Sequence, residues 1–126
     1  MAISAESLQG DWQALTGVLA GKAMPEEVVS RTKLTIDASR YVVDLAGNID
    51  SGSCTINLDP NPIQMTIQGQ QGPNAGRTFL AVLEFIADDE IRIAYDLSGT
   101  QYPNSFEPAP DDSSYVATFK KCSGES

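Results

Sequence analysis

The sequence contains no histidine. That removes serine–histidine–aspartate and cysteine–histidine nucleophile pairs, and it removes histidine-ligated zinc or haem. Cysteine is scarce as well: Cys54 and Cys122 cannot build a four-thiolate site by themselves. Positive charge is thin, with 8 Lys and Arg against 17 Asp and Glu, a net charge of −9 at neutral pH. The field of such an excess repels phosphate, which argues against nucleic acid and anionic membrane surfaces as partners. No apolar run approaches the length of a membrane span, and no Asn-X-Ser/Thr sequon is present. Met1 to Ser7 has neither the basic nor the apolar region of a secretory signal. The expected location is therefore cytoplasmic, with an extracytoplasmic one open to a chain whose signal has been removed.

What is present is a single domain's length, 126 residues, of which 41% are apolar and 20% charged. The expected core runs over about residues 8–121, without repeats or interior linkers. Period-two alternation dominates. Leu34 and Ile36 alternate with Lys33, Thr35 and Asp37; Tyr41, Val43 and Leu45 with Arg40, Val42 and Asp44; Cys54, Ile56 and Leu58 with Ser53, Thr55 and Asn57. The same rhythm marks Ile63–Ile67, Phe79–Phe85, Ile91–Leu97 and Tyr115–Phe119. A less regular first strand puts Trp12, Ala14, Thr16 and Val18 on one parity. These are strands with one dry face and one wet face, about eight of them at the turn spacing of an all-β sandwich or barrel. Helical character is confined to Pro25-Glu26-Glu27-Val28-Val29, where proline and two acids suit a first turn.

Loop lengths separate sandwich from barrel. Short turns at Ala38-Ser39, Asp59 to Pro62 and Ala87 to Asp89 alternate with longer connections at Gly21 to Arg31, Gly69 to Gly76 and Ser98 to Ser114. Only Gly47-Asn48 departs from that rule. In an up-and-down meander alternate connections fall at opposite ends, so long loops gather at one mouth and tight turns at the other. The expected fold is an eight-stranded antiparallel up-and-down barrel with a short helix in the first long loop.

Motifs with chemical overtones have simpler explanations. Gly69 to Thr78 is glycine-rich, but only three residues separate Gly72 from Gly76, and Arg77 stands where a phosphate loop needs lysine. It reads as a loop using positive-φ glycines. Asp88-Asp89-Glu90 and Asp111-Asp112 lack the one-three-five spacing of a calcium loop and read as solvated turns. A glycosidase would need paired inward carboxylates, whereas most acids here fall in turns or at outward parity. We therefore expect no enzyme, no catalytic residue, no metal ligand and no cofactor.

Gly10-Asp11-Trp12 matches the Gly-X-Trp motif of lipocalin-like (calycin) barrels, and its tryptophan is the sole one, at the start of the first of eight strands. The whole chain resembles more closely a bacterial family of lipocalin-like domains of unknown function, abundant in planctomycetes. The matching pieces are Leu8 to Trp12, Met24 to Val29, Gly72 to Leu80, and Pro103 with Phe106. The resemblance implies a fold, not an activity. The chain departs from typical lipocalins in having no long helix after the last strand, so a wider lipocalin function does not carry over. The resemblance also implies a basic residue of the last strand laid over Trp12, with Lys121 at the matching position and Lys120 as its out-of-register competitor. It makes a Cys54–Cys122 bridge conceivable; with no signal peptide, free thiols are expected.

The inward apolar set either lines a cavity or fills the barrel, and eight strands is the size at which both occur. Trp12, Ile36, Tyr41, Leu58, Ile63, Phe85, Ile91 and Phe119 are bulky and should fill the base. Val18, Leu34, Leu45, Cys54, Ile67, Phe79, Tyr95 and Tyr115 fall near the mouth, with Gly52 expected to leave space beside them. Met24, Val28, Tyr102 and Phe106 on the long loops are candidates for a lid. The leading expectation is a non-enzymatic binding module that holds a small apolar or amphipathic ligand against Leu34, Leu45, Gly52, Ile67, Phe79, Tyr95 and Tyr115. The alternative is a protein-interaction module that turns its long-loop rim and acidic surface to a basic protein partner. A void open at the long-loop end favours the first; a dry, filled barrel favours the second.

Overall fold

The alternating runs are strands, and they close on themselves. A computed structural model describes residues 8–37, 39–45, 47–60, 62–72, 75–87, 89–103, 105–107 and 114–122. In chain order the elements are β1 (Gly10–Leu19), β2 (Lys22–Ala23), α1 (Glu26–Val29), β3 (Thr32–Asp37), β4 (Arg40–Leu45), β5 (Asn48–Asn57), β6 (Ile63–Gln71), β7 (Thr78–Ala87), β8 (Glu90–Asp96) and β9 (Ser114–Lys121). From β4 to β9 each strand pairs antiparallel with its predecessor, β1 pairs with β3, and β1 also pairs with β9. The result is a closed, up-and-down, lipocalin-like barrel of eight strands. The two-residue β2 is an extra ribbon on β1, pairing Val18 with Ala23. Helix α1 is a single turn that starts after Pro25. The Gln13 side-chain amide caps its end, donating to the Val29 carbonyl at 3.2 Å and the Ser30 carbonyl at 3.1 Å. The acids at 88 and 111–112, the loop positions 73–74 and the tail 123–126 lie outside the described residues.

The base is solid. Leu8 and Trp12 are fully buried there, and the indole Nε1–H donates to the Leu8 carbonyl at 3.0 Å. Trp12 pairs in register with Lys121, whose Nζ lies 5.4 Å from the ring centroid. Lys120 pairs instead with Gln13 and lies 4.0 Å from Asp89, so the matching lysine is Lys121. The seam is tied further by the Cys122 N–H to the Asp11 carbonyl at 2.9 Å. Both cysteines are free thiols, Cys54 buried and Cys122 exposed.

Three expectations need correction. The first concerns β1, whose inward parity does not run unbroken from Trp12 to Val18. Ala14 pairs with Phe119 but Thr16 with Thr118, leaving Leu15 as the extra residue of a bulge. Beyond it the face inverts: Gly17 is buried, Leu19 faces the barrel mouth, and Thr16 turns outward to meet the Thr118 hydroxyl at 2.7 Å. Val18 is thereby removed from the interior. A similar bulge between Phe85 and Ala87 puts Ile86 outside, so two of the exposed large hydrophobic residues, Leu15 and Ile86, are bulge residues.

The second correction concerns Gly52, which leaves no space. A Cβ there would lie 2.0 Å from the Gln68 carbonyl oxygen, because the β5–β6 register shifts between Ser51 and Gly52 and brings the two backbones together. Glycine is present for close backbone approach. The third concerns the lid. Tyr102 and Phe106 do not cover the mouth; they pack outside the barrel on Val82, Ala94 and Val116, and the Tyr102 hydroxyl meets that of Thr66 at 2.7 Å. The described part of the β8–β9 connection is a strap, its Tyr102 and Phe106 laid over an outer apolar patch.

Candidate ligand-binding site

Above the solid base the barrel is hollow. A cavity of about 310 Å³ opens at the long-loop end, and each of the eight barrel strands contributes to its wall. Six of the sequence-derived candidates line it: Leu34, Leu45, Ile67, Phe79, Tyr95 and Tyr115. Gly52 is not among the lining residues, and Cys54 is buried beside the cavity rather than in its wall. Tyr41 and Phe119, assigned to the base, form its floor together with Met65. They stand near the base ends of their strands, but their side chains reach upward. Of the lid candidates only Met24 reaches the cavity; its Sδ would lie 2.9 Å from a Cβ at Gly17, so the absence of a side chain there seats the methionine.

Residues that sequence reasoning did not place in the mouth include Leu19, Thr32, Asp50, Arg77 and Leu97. Leu19 is inward only because of the bulge. Asp50 carried a readable signal: it shares parity with Gly52 and Cys54 in β5, and it pairs with inward Val43. Gly72, at φ +97°, packs directly against it; a Cβ there would lie 2.5 Å from the Asp50 carboxylate. Arg77 stands at the exposed rim, its guanidinium 5.3 Å from the Phe79 ring centroid and 3.4 Å from the Leu97 carbonyl. Thr32 is buried and spends its hydroxyl on the Val28 carbonyl at 2.7 Å.

Three phenols supply much of the polar character of the cavity wall. Tyr95 and Tyr115 stack with centroids 5.2 Å apart at 23°, an offset arrangement that suits two aromatic rings. Burial holds Tyr95 far above the ordinary phenol range, reinforced by the neighbouring Tyr115, Tyr41 and Cys54. Burial pushes Tyr115 up to about 12. Tyr41 is raised by burial first and then by the charges of Asp50 and Cys54, and burial also raises the Cys54 thiol. At neutral pH the three phenols are uncharged. Tyr95 and Tyr115 are walled in by protein yet keep accessible surface, because the cavity itself is accessible.

Among the described residues no three of Cys, Asp and Glu converge in a way that could hold a metal ion. No family model, curated protein or solved structure matches the chain. No helix among the described residues is long and apolar enough to cross a membrane.

Proposed function

We propose that the chain is a non-enzymatic binding module of the lipocalin-like kind, holding one small apolar or amphipathic molecule in the barrel mouth. The observation that carries the reading is the cavity of about 310 Å³, lined by all eight strands and walled by aliphatic and aromatic side chains from seven of them, with β5 contributing Asp50. That volume stands at the small end of ligand pockets, which run from roughly 300 to 1,000 Å³. The driving force is burial of apolar ligand surface at about 25 cal/mol per Å², with Tyr95 and Tyr115 orienting the ligand through their hydroxyls. The Trp12–Lys121 pairing at the base adds local support for the lipocalin-like relationship, since it reproduces the arrangement that the resemblance implies. Titration with prodan, a neutral naphthyl ketone dye whose emission responds to polarity, tests the reading. A blue-shifted emission that saturates at one dye per chain is expected; emission that never saturates would overturn it.

A further inference from the structure

Three phenols turn towards one small cavity, and their hydroxyls have little else to bind. Tyr41, Tyr95 and Tyr115 come from β4, β8 and β9 and line the same wall and floor. Among the described residues none hydrogen-bonds to any of the three hydroxyls, and no side-chain nitrogen or oxygen is both sealed from solvent and unpartnered. The hydroxyls are therefore open to the cavity. They are also near one another, since Tyr95 responds to the charges of Tyr41 and Tyr115. Desolvated polar groups of this kind reward a partner of matching chemistry far more than solvated ones do.

We propose that the preferred ligand is a small, neutral, carbonyl-bearing apolar molecule — a ketone, aldehyde or ester — that enters oxygen first and accepts hydrogen bonds from Tyr41, Tyr95 and Tyr115. The inference rests on the ligand-binding reading above and sharpens it. A neutral phenol donates its O–H to an acceptor and adds no charge to balance an ion. Among the described residues the cavity wall holds one cation, Arg77, at the exposed rim and already set over Phe79 and the Leu97 carbonyl. A carboxylate pushed to the phenols would sit without a buried cation, near Asp50, in a chain of net charge −9, and would lose its hydration. An ammonium could approach Asp50, but it offers donors to three groups whose protons seek acceptors. A pure hydrocarbon would fill the space and leave the phenols unsatisfied.

Four probes that share a phenyl group and chain separate these cases by calorimetry: benzylacetone (the ketone), butylbenzene, phenylbutanoate and phenylbutylamine. The ketone should bind at least about tenfold more tightly than each of the others, the worth of one or two buried hydrogen bonds. Tyr95→Phe combined with Tyr115→Phe keeps both rings in the stack; it should cut the ketone's advantage to what the remaining Tyr41 hydroxyl supplies and leave butylbenzene affinity unchanged. If butylbenzene equals the ketone on the wild type, the carbonyl inference falls and the ligand-binding reading stands. Tightest binding of phenylbutanoate, lost in Arg77→Gln, or of phenylbutylamine, lost in Asp50→Asn, would replace it with an ionic site. If none of the four probes binds, both readings fall. Should the double variant not fold, the ranking on the wild type alone decides.

Discussion

The two ends of this barrel use the same strands and the same alternation, yet one is filled and the other hollow. At the base Trp12, Ile36, Ile91 and Leu83 are at most 1% exposed. At the mouth the equivalent inward positions, Val43, Leu45, Tyr95 and Tyr115, keep accessible surface. The difference follows from residue size and from what closes each end. The single tryptophan spans the base under the first and last strands, and a lysine stem covers it. At the mouth β1 contributes Gly17 instead, two residues beyond the bulged Leu15, opposite small Ala117. Packing, not strand geometry, decides which part of a barrel becomes a site.

Changes at the two ends should therefore have unequal effects. Trp12→Ala removes a fully buried indole and leaves a cavity in the base, and should cost roughly 3–5 kcal/mol in urea denaturation. Leu45→Ala trims a wall already facing open space and should cost about 1 kcal/mol or less, since no new void forms in dense packing. Equal losses would erase the distinction between base and mouth. Gly52→Ala, between the two regions, should cost roughly 1–3 kcal/mol. Its Cβ meets backbone, which cannot swing aside. An unchanged melting temperature would mean that β5 and β6 do not approach so closely.

A third prediction uses pH to probe the mouth alone. Tyr115 titrates at about 12 in the folded chain against an ordinary value of 10.0, and Tyr95 and Tyr41 are also raised. The unfolded chain then loses these protons first. Stability should be unaffected by the phenols below pH 10 and should fall as pH rises from about 10 through 12. Phenylalanine at both 95 and 115 should flatten that decline, as followed by unfolding at stepped pH. The smallest effect belongs to the base cation: Lys121→Met retains the stem over Trp12 and should cost about 0.5–1 kcal/mol.

Much of this architecture is legible in the amino-acid sequence. Period-two runs mark the strands, and alternating loop lengths tell a meander from a Greek key. The Trp12–Lys121 pair is what the resemblance carried by Gly10-Asp11-Trp12 implies, rather than anything the alternation shows. The bulge at Leu15 is hidden, because one unpaired residue inverts a strand's faces without changing the apolar rhythm on either side. Gly52 misleads because a missing side chain can mean room or backbone contact, and only register distinguishes them. The strap does leave a trace. Ala81-Val82-Leu83 and Ile93-Ala94 are unbroken apolar stretches, and strands apolar on both faces are covered on both. Tyr102 and Phe106 provide that cover. The three phenols are visible one by one, but their convergence depends on Tyr41 reaching up from the base.

The measurement that bears most directly on a hollow mouth is a cavity-filling substitution read two ways. Ile67 lines the cavity and is 6% exposed. Ile67→Phe adds volume on the side facing the void. Thermal unfolding and prodan titration, run on the same preparation, should show melting unchanged or raised while saturable dye binding disappears. An overpacked core would instead lose about 1–3 kcal/mol on receiving that ring. A clear fall in melting temperature, with dye titration indistinguishable from that of the wild type, would show that the mouth is as solid as the base.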